Sequence, residues 1–265
     1  MSELSKSQLQ YLKNHRKHKR IVRISRVLIL LSFLFIWEFT ANVGIIDSFI
    51  FSSPSKIAIC FWEMTLDKSI FLHTGVTLYE TILSFLLVIA VSILAAVALW
   101  FSTKLSEILD PYLVVLNSLP KSALAPLLIV WLGANTTTII VAGMSVAIFG
   151  SILNLYASFT TVDPGKIKLI YTLQGHKLQA LTKVVLPSSL PAIISNMKVN
   201  IGLCLVGVII GEFLAARNGL GYLIIYSSQV FKMDWLLMSI VLLCVMATIL
   251  YSLINLLERW CLHRF

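Results

Sequence analysis

The stretch TILSFLLVIAVSILAAVALWFST (81–103) contains no charged side chain. About 20 consecutive apolar residues suffice to carry an α-helix across the hydrocarbon core of a membrane. A run of this length is also too long for an ordinary strand of a folded domain. The stretch therefore predicts a transmembrane helix, which we place at about 76–101.

The composition of the whole chain agrees with this interpretation. Of its 265 residues, 58% are hydrophobic and only 12% are charged, and the mean hydropathy is +0.91. Soluble domains carry about 25% charged residues, so this chain lacks the charge to cover a water-facing surface. We predict an all-α integral membrane protein, because helices satisfy their own backbone hydrogen bonds in lipid.

Five further apolar stretches complete a predicted set of six transmembrane helices. The predicted helices lie at 27–43, 76–101, 111–132, 137–157, 192–214 and 235–257. The segments outside them are a basic N-tail (1–26), an amphipathic outer segment (44–75), a polar loop (158–191) and a short C-tail (259–265).

The distribution of Lys and Arg predicts the orientation. Fifteen of these residues lie in the two tails and in the connections at 102–110 and 158–191, against four on the other side. The positive-inside rule then places both termini and the 158–191 loop in the cytoplasm. The basic N-tail indicates contact with water or anionic lipid rather than with nucleic acid.

The 158–191 loop has the pattern of an amphipathic helical bracket. The sequence DPGK (163–166) favours a helix start, and leucines and valines follow at roughly helical spacing. Gly175 is expected to divide this run into two short helices. Pro187 and Pro191 are expected to end the second helix and to restart the chain as the next span. One side of the bracket would pack under the bundle and the other would face a partner.

Three stretches resemble the membrane subunits of bacterial type I ABC importers. They are SPSK (53–56), LPKSALAPLLIVWLG (119–133) and VVLPSSLPAIISNMKVNIGLCLVGVIIGEFLAARNGLGYLI (184–224). The likeness covers about 50–258 and is greatest to the nitrate, aliphatic sulfonate, taurine and thiamine-precursor branch. It implies an ABC transporter transmembrane domain at 76–258.

The resemblance also implies partners and a location. The chain would work in the bacterial inner membrane as a dimer with a second, identical copy. Two cytoplasmic ATPase subunits would bind ATP and Mg, and an extracytoplasmic binding protein would deliver a small solute. This chain itself would bind no cofactor.

In this family the loop after the fourth span carries a Glu-Ala-Ala triplet, a glycine four residues later and a Leu-Pro pair. This chain keeps Leu186-Pro187, has Lys168 at the start of the triplet, and has Gln174 at the glycine position. The resemblance implies that 166–182 is a coupling helix that docks on the ATPase. Its contact residues would be Lys168, Thr172, Gln174, Gly175, His176 and Lys177.

Polar residues inside the predicted spans are candidates for the translocation path, because they are costly in lipid unless they face protein or water. They are Asn117, Lys121, Asn154, Asn196 and Asn200. Lys121 lies about 15 Å deep; it could attract a passing anion or form a structural pair with a carbonyl or carboxylate. Glu212 and Arg217 are outer-gate candidates, as a pair or as parts of a gate. The predicted hinges are Pro120, Pro126, Pro187 and Pro191.

The sequence gives less support to other classes of protein. The sequence has no GxxxxGK[ST] phosphate loop, no catalytic constellation and no Cys/His cluster for a metal, so we predict a non-catalytic subunit. A secondary transporter driven by an ion gradient is the main alternative, although the two halves show no clear repeat. A membrane enzyme or scaffold would need clustered His, Asp or Glu.

Overall fold

The computed structural model describes the backbone of residues 6–262 and, within that range, the side chains of 14–260 except Arg16. This part of the chain consists of helices and turns without a β-strand. In order, the helices are α1 (Lys6–Asn42), α2 (Ser48–Phe51), α3 (Pro54–Leu66), α4 (Ser69–Phe101), α5 (Thr103–Ser118), α6 (Lys121–Leu132), α7 (Thr136–Thr160), α8 (Pro164–Thr172), α9 (Lys177–Ala180), α10 (Leu186–Ala215), α11 (Leu220–Gln229) and α12 (Met233–Leu262), with a π-helical turn at Leu181–Val185 between α9 and α10. The outermost parts of both predicted tails, 1–5 and 263–265, lie outside the described residues.

Several of these helices are suited to cross a membrane. Among the described residues, four helical stretches are long and apolar enough: α4, α7, the continuous stretch from α9 through α10, and α12. The pair α5–α6 would make a fifth crossing. The prediction of an all-α, multi-pass membrane protein is therefore confirmed. The predicted first span, 27–43, lies in the second half of α1 and stays a prediction.

Helix α7 lies at the centre, where it packs along both α4 and α10. Small residues make this close approach possible. A Cβ added to Gly207 would lie 2.8 Å from the Ala142 carbonyl oxygen, and one added to Gly143 would lie 2.6 Å from Ser84 Oγ. Such small faces allow the backbones of membrane helices to approach closely. Gly143 and Gly207 thus allow the close packing of α7 against α4 and α10.

The third predicted span, 111–132, is not one straight helix. Helix α5 ends at Ser118, α6 begins at Lys121, and the two axes are bent by 97°. Leu119 is extended (φ −62°, ψ 142°), as expected of a residue that precedes a proline. The chain therefore turns at Leu119–Pro120. The loop expected at 102–110 is also shorter, because α5 already begins at Thr103. Ser102 caps this helix by accepting a hydrogen bond from Leu105 N at 3.2 Å.

The outer segment 44–75 forms two capped helices. Asp47 accepts a hydrogen bond from Phe49 N at 2.9 Å at the start of α2, and Ser53 caps α3. Helix α3 packs against α12 and α4, with Cys60 and Met64 buried on its inner face. The predicted amphipathic segment thus contains a helix that begins at Pro54.

Candidate functional sites

The 158–191 loop forms two short helices joined by a tight turn. Helix α8 ends at Thr172, α9 begins at Lys177, and Gln174 between them adopts a left-handed conformation (φ +58°). Gly175 was expected to divide the run into two short helices, and it lies between them, although its φ is not positive. Gly175 is required for space instead, because an added Cβ would lie 2.5 Å from Ile170 Cγ2.

The two prolines after this turn do not end the helix, which corrects the expectation from the sequence. Pro187 lies in the first turn of α10 and Pro191 lies inside that helix. The π-helical turn Leu181–Val185 immediately precedes them. Helices tolerate proline in the first turn, where the missing N–H removes no bond, and π turns change the local hydrogen-bond register. The bracket is therefore joined to α10 as one continuous helical stretch.

The apolar side chains of the bracket divide into two groups. Leu181 and Val185 are buried in a cluster with Phe159 of α7. Ile167 is half-buried against the same cluster. Three leucines point away from the bundle: Leu169 is 58% exposed, Leu173 72% and Leu178 60%. A loop that is fastened by one apolar face and presents a second one to its surroundings is suited to bind a partner.

The six expected ATPase-contact residues differ in their surroundings. Lys177 faces back toward its own chain, because its Nζ donates to the Phe101 carbonyl at 2.9 Å and lies 5.4 Å from the Trp100 ring centre. A positive charge at this position stabilises the C-terminal end of α4, because that end of the helix dipole is negative. Lys168, Thr172, Gln174 and His176 are exposed, and Gly175 is half-buried.

Two of the path candidates, Asn196 and Asn200, lie in the packed interior between helices. Their Nδ2 groups donate to Ser151 Oγ at 2.7 and 2.8 Å, and Ser151 donates to Ser92 Oγ at 2.9 Å. All four residues are buried. This cluster joins α4, α7 and α10.

The other three path candidates lie on a less covered part of the bundle. Lys121 Nζ donates a short hydrogen bond to the Asn117 carbonyl, which is the structural pair that the sequence left open. The Asn117 side chain packs against Gly150, where an added Cβ would lie 3.2 Å from Oδ1. Asn154, one helical turn after Gly150, is exposed. The structure thus brings Asn117 and Lys121 together, near the face of α7 that carries Asn154.

At the opposite end, Glu212 caps the N-terminus of α11. Its carboxylate accepts from Gly221 N at 2.6 Å and from Thr77 Oγ1 at 2.6 Å. Thr77 Oγ1 in turn accepts from Leu220 N at 2.8 Å, and His73 Nδ1 accepts from Gly219 N at 3.0 Å. We call these contacts the outer clamp. They fasten the start of α11 to α4 and α10.

The outer clamp corrects the expected pair of Glu212 with Arg217. Among the residues with described side chains, the single salt bridge is Lys198–Glu258, and Arg217 is exposed. Backbone N–H groups at the start of a helix are favourable partners for a carboxylate. Sequence reasoning missed Thr77, His73 and Glu80, although Glu80 is the one acidic residue of the 76–101 stretch.

The described residues contain no group of three or more His, Cys, Asp and Glu side chains that could hold a metal ion.

The structure has spanning helices packed about α7, a helical bracket at one end and a polar clamp at the other. This arrangement is that of the transmembrane domain of a transporter. The chain belongs to the family described as binding-protein-dependent transport system inner membrane component, whose model matches residues 88–263. It is therefore the permease component of a binding-protein-dependent ABC importer.

Individual relatives agree with this assignment. The chain is 31% identical to a probable ABC transporter permease protein of Haemophilus influenzae, over 88% of this chain and 92% of that protein. It is 26% identical to a putative aliphatic sulfonates transport permease protein of Bacillus subtilis, over 84% of this chain and 81% of that protein. An inward-facing methionine ABC transporter matches with a TM-score of 0.60 and 16% identity, over 73% of this chain and 94% of that chain. The fold is that of a type I ABC importer transmembrane domain.

Proposed function

We propose that this permease imports a small solute delivered by an extracytoplasmic binding protein, driven by two cytoplasmic ATPase subunits that bind ATP and Mg. The solute would be a sulfonate, taurine, nitrate or a thiamine-pyrimidine-like compound. The name of the Bacillus subtilis relative supports the first of these. The protein would lie in the bacterial inner membrane with both termini in the cytoplasm, which the distribution of Lys and Arg supports.

The observation that carries the coupling role is the exposed leucine group of the bracket. Leu169, Leu173 and Leu178 stand out from a loop that is anchored through Leu181 and Val185. An ATPase subunit that covers these leucines would remove apolar area from water, at about 25 cal/mol for each Å². Because the bracket continues into α10, movement of the ATPase would be passed directly to that helix.

The second copy would complete the path. In a single chain Asn154 is exposed and Lys121 is half-buried, although polar groups at these positions need a protein or water environment. A homodimer that brings the two Asn117–Lys121 pairs to a shared face would provide that environment. Asn196 and Asn200, which are bound to Ser151, would instead hold each copy together.

The test is co-purification of the tagged chain with an ATPase whose activity rises when the binding protein is added. Replacing two of the three exposed leucines, Leu173→Ser with Leu178→Ser, should abolish this association. The control Leu66→Ser changes an equally exposed leucine of α3 and should leave ATPase activity unchanged. Absence of any associated ATPase would refute the proposal and favour a transporter driven by an ion gradient.

Lys121 is proposed to attract an anionic solute within the path. Uptake by Lys121→Met should fall at least about tenfold, which corresponds to about 1.4 kcal/mol. The control Lys104→Met changes an exposed lysine of α5 and should transport normally. Normal uptake by Lys121→Met at normal expression would leave the bond to the Asn117 carbonyl as the role of Lys121.

A further inference from the structure

Two buried carboxyl groups face each other at the outer end of the bundle. Glu80 of α4 and Glu212 of α10 are each 1% exposed, and their side chains lie within hydrogen-bonding reach of one another. Both lie in helices that are suited to cross a membrane. Acidic side chains at such positions are rare and usually have a partner or a function.

The hydrogen-bond partners of the two carboxyl groups differ. Glu212 accepts hydrogen bonds from Thr77 and from Gly221 N, whereas Glu80 Oε2 is buried without a hydrogen-bond partner. Of the side chains that the structure describes, no Lys, Arg or His forms a salt bridge with either carboxylate. Two adjacent carboxylates repel each other unless a proton or another positive group stands between or beside them.

A cavity lies beside this pair. Its volume is about 290 Å³, and Glu80 and Arg217 both line it. Asn135, Thr136 and Asn218 add polar atoms from the α6–α7 and α10–α11 turns. A water molecule occupies about 30 Å³ in the liquid, so the cavity has room for a small solute or a hydrated ion. Its lining therefore includes both an acidic group and a guanidinium.

We propose that this cavity binds a positively charged group against Glu80. The group is either an inorganic monovalent cation or the ammonium of a transported solute, and in the second case the inference rests on the proposed function. A solute that carries both an ammonium and an acidic group would place the ammonium at Glu80 and the acid near Arg217. Ligand binding would thereby stabilise the end of the bundle that the outer clamp holds closed.

The test is thermal unfolding of the purified permease with its associated subunits, at constant ionic strength balanced with choline chloride. The probes are sodium chloride, potassium chloride, 2-aminoethanesulfonate and ethanesulfonate. We expect 2-aminoethanesulfonate or one of the inorganic salts to raise the unfolding midpoint by about 2–4 °C. Ethanesulfonate, which lacks the ammonium, should give no shift.

Variants separate the possible sources of this shift. Glu80→Gln should abolish it, and the control Glu63→Gln, which changes an exposed acid of α3, should keep it. If Glu80→Gln does not fold, Arg217→Gln serves as the second variant and should weaken the shift by 2-aminoethanesulfonate alone. A shift with sodium or potassium identifies an inorganic cation, and a shift confined to 2-aminoethanesulfonate identifies the solute.

Two outcomes would overturn the inference. If no probe raises the midpoint, the two carboxyl groups hold only a proton; if the shift persists in Glu80→Gln, the ligand binds elsewhere. Association with the ATPase is measured separately, by co-purification. The permease function therefore stands even if every probe fails, and a cation shift without an associated ATPase would contradict the transport proposal alone.

Discussion

Gly219 has no room for any side chain. Its φ is +120°, and an added Cβ would collide with the Glu212 carboxylate. We therefore expect Gly219→Ala to destabilise the protein by about 2–4 kcal/mol, from backbone strain together with displacement of Glu212. A lower unfolding midpoint in detergent would show this loss.

Gly202 offers a matched control for that substitution. It lies inside α10, and an added Cβ would meet nothing within 4 Å. Because alanine favours the helix by about 1 kcal/mol over glycine, Gly202→Ala should leave the midpoint unchanged or raise it. Equal losses in both variants would mean that the contact with Glu212 does not set the requirement at Gly219.

Cys60 is predicted to be an unreactive thiol. Burial, with a smaller contribution from nearby Asp234, raises the pKa of Cys60 from 9.0 to about 11. Below pH 9 the thiolate fraction is then about 100-fold lower than that of an ordinary thiol. With the other cysteines replaced by alanine, maleimide labelling at pH 7.5 should be slow in the native protein and fast after denaturation. Fast native labelling would contradict the buried position of α3.

At the scale of elements, the helices of the bracket were predictable from the sequence pattern, but the burial of its individual side chains was not. Helical spacing predicted two short helices between Asp163 and Pro191, and both are present. Spacing could not show that Leu181 is buried while Leu178 is exposed, because that depends on which helices lie above the loop. The two prolines were expected to end the helix, but a π-helical turn at Leu181–Val185 leads directly into α10, which contains both of them.

The turn between α8 and α9 places Gln174 in a conformation that favours glycine. This residue stands where related permeases carry glycine, and it is left-handed in this structure (φ +58°). A left-handed conformation costs a non-glycine residue about 1–2 kcal/mol. Gln174→Gly should therefore stabilise the turn, and the unfolding midpoint of the purified protein should rise. A lower midpoint would mean that the Gln174 side chain makes a stabilising contact that outweighs its backbone strain.

At the scale of the whole molecule, Ser151 joins three spanning helices. It donates to Ser92 of α4 and accepts from Asn196 and Asn200 of α10. Ser151→Ala would leave two buried amide groups without their acceptor, and we expect a loss of about 1–2 kcal/mol. The control Ser145→Ala removes a hydroxyl that bonds only within α7, to the Ala142 carbonyl. Unfolding in detergent micelles measures both, and an equal loss would contradict the joining role of Ser151.

The apolar length of each segment made the class of the molecule predictable, because hydrocarbon demands about 20 residues for each crossing. Contacts between distant segments were not predictable in the same way. Nothing in the spacing of Glu80 and Glu212 indicates that α4 and α10 bring the two carboxyl groups together. The right-angle turn at Pro120 was foreseen only as a kink, since its size depends on the packing of α6 against α7.

The outer clamp also decides where the bundle can open. Drawing α11 away from α4 would leave the N–H groups of Gly219 and Leu220 without acceptors, at about 1–3 kcal/mol for each. Helices α4, α10 and α11 should therefore travel as one rigid body during a transport cycle. Pro120 has no backbone N–H to lose, so the angle between α5 and α6 can change there without breaking a hydrogen bond donated by that residue.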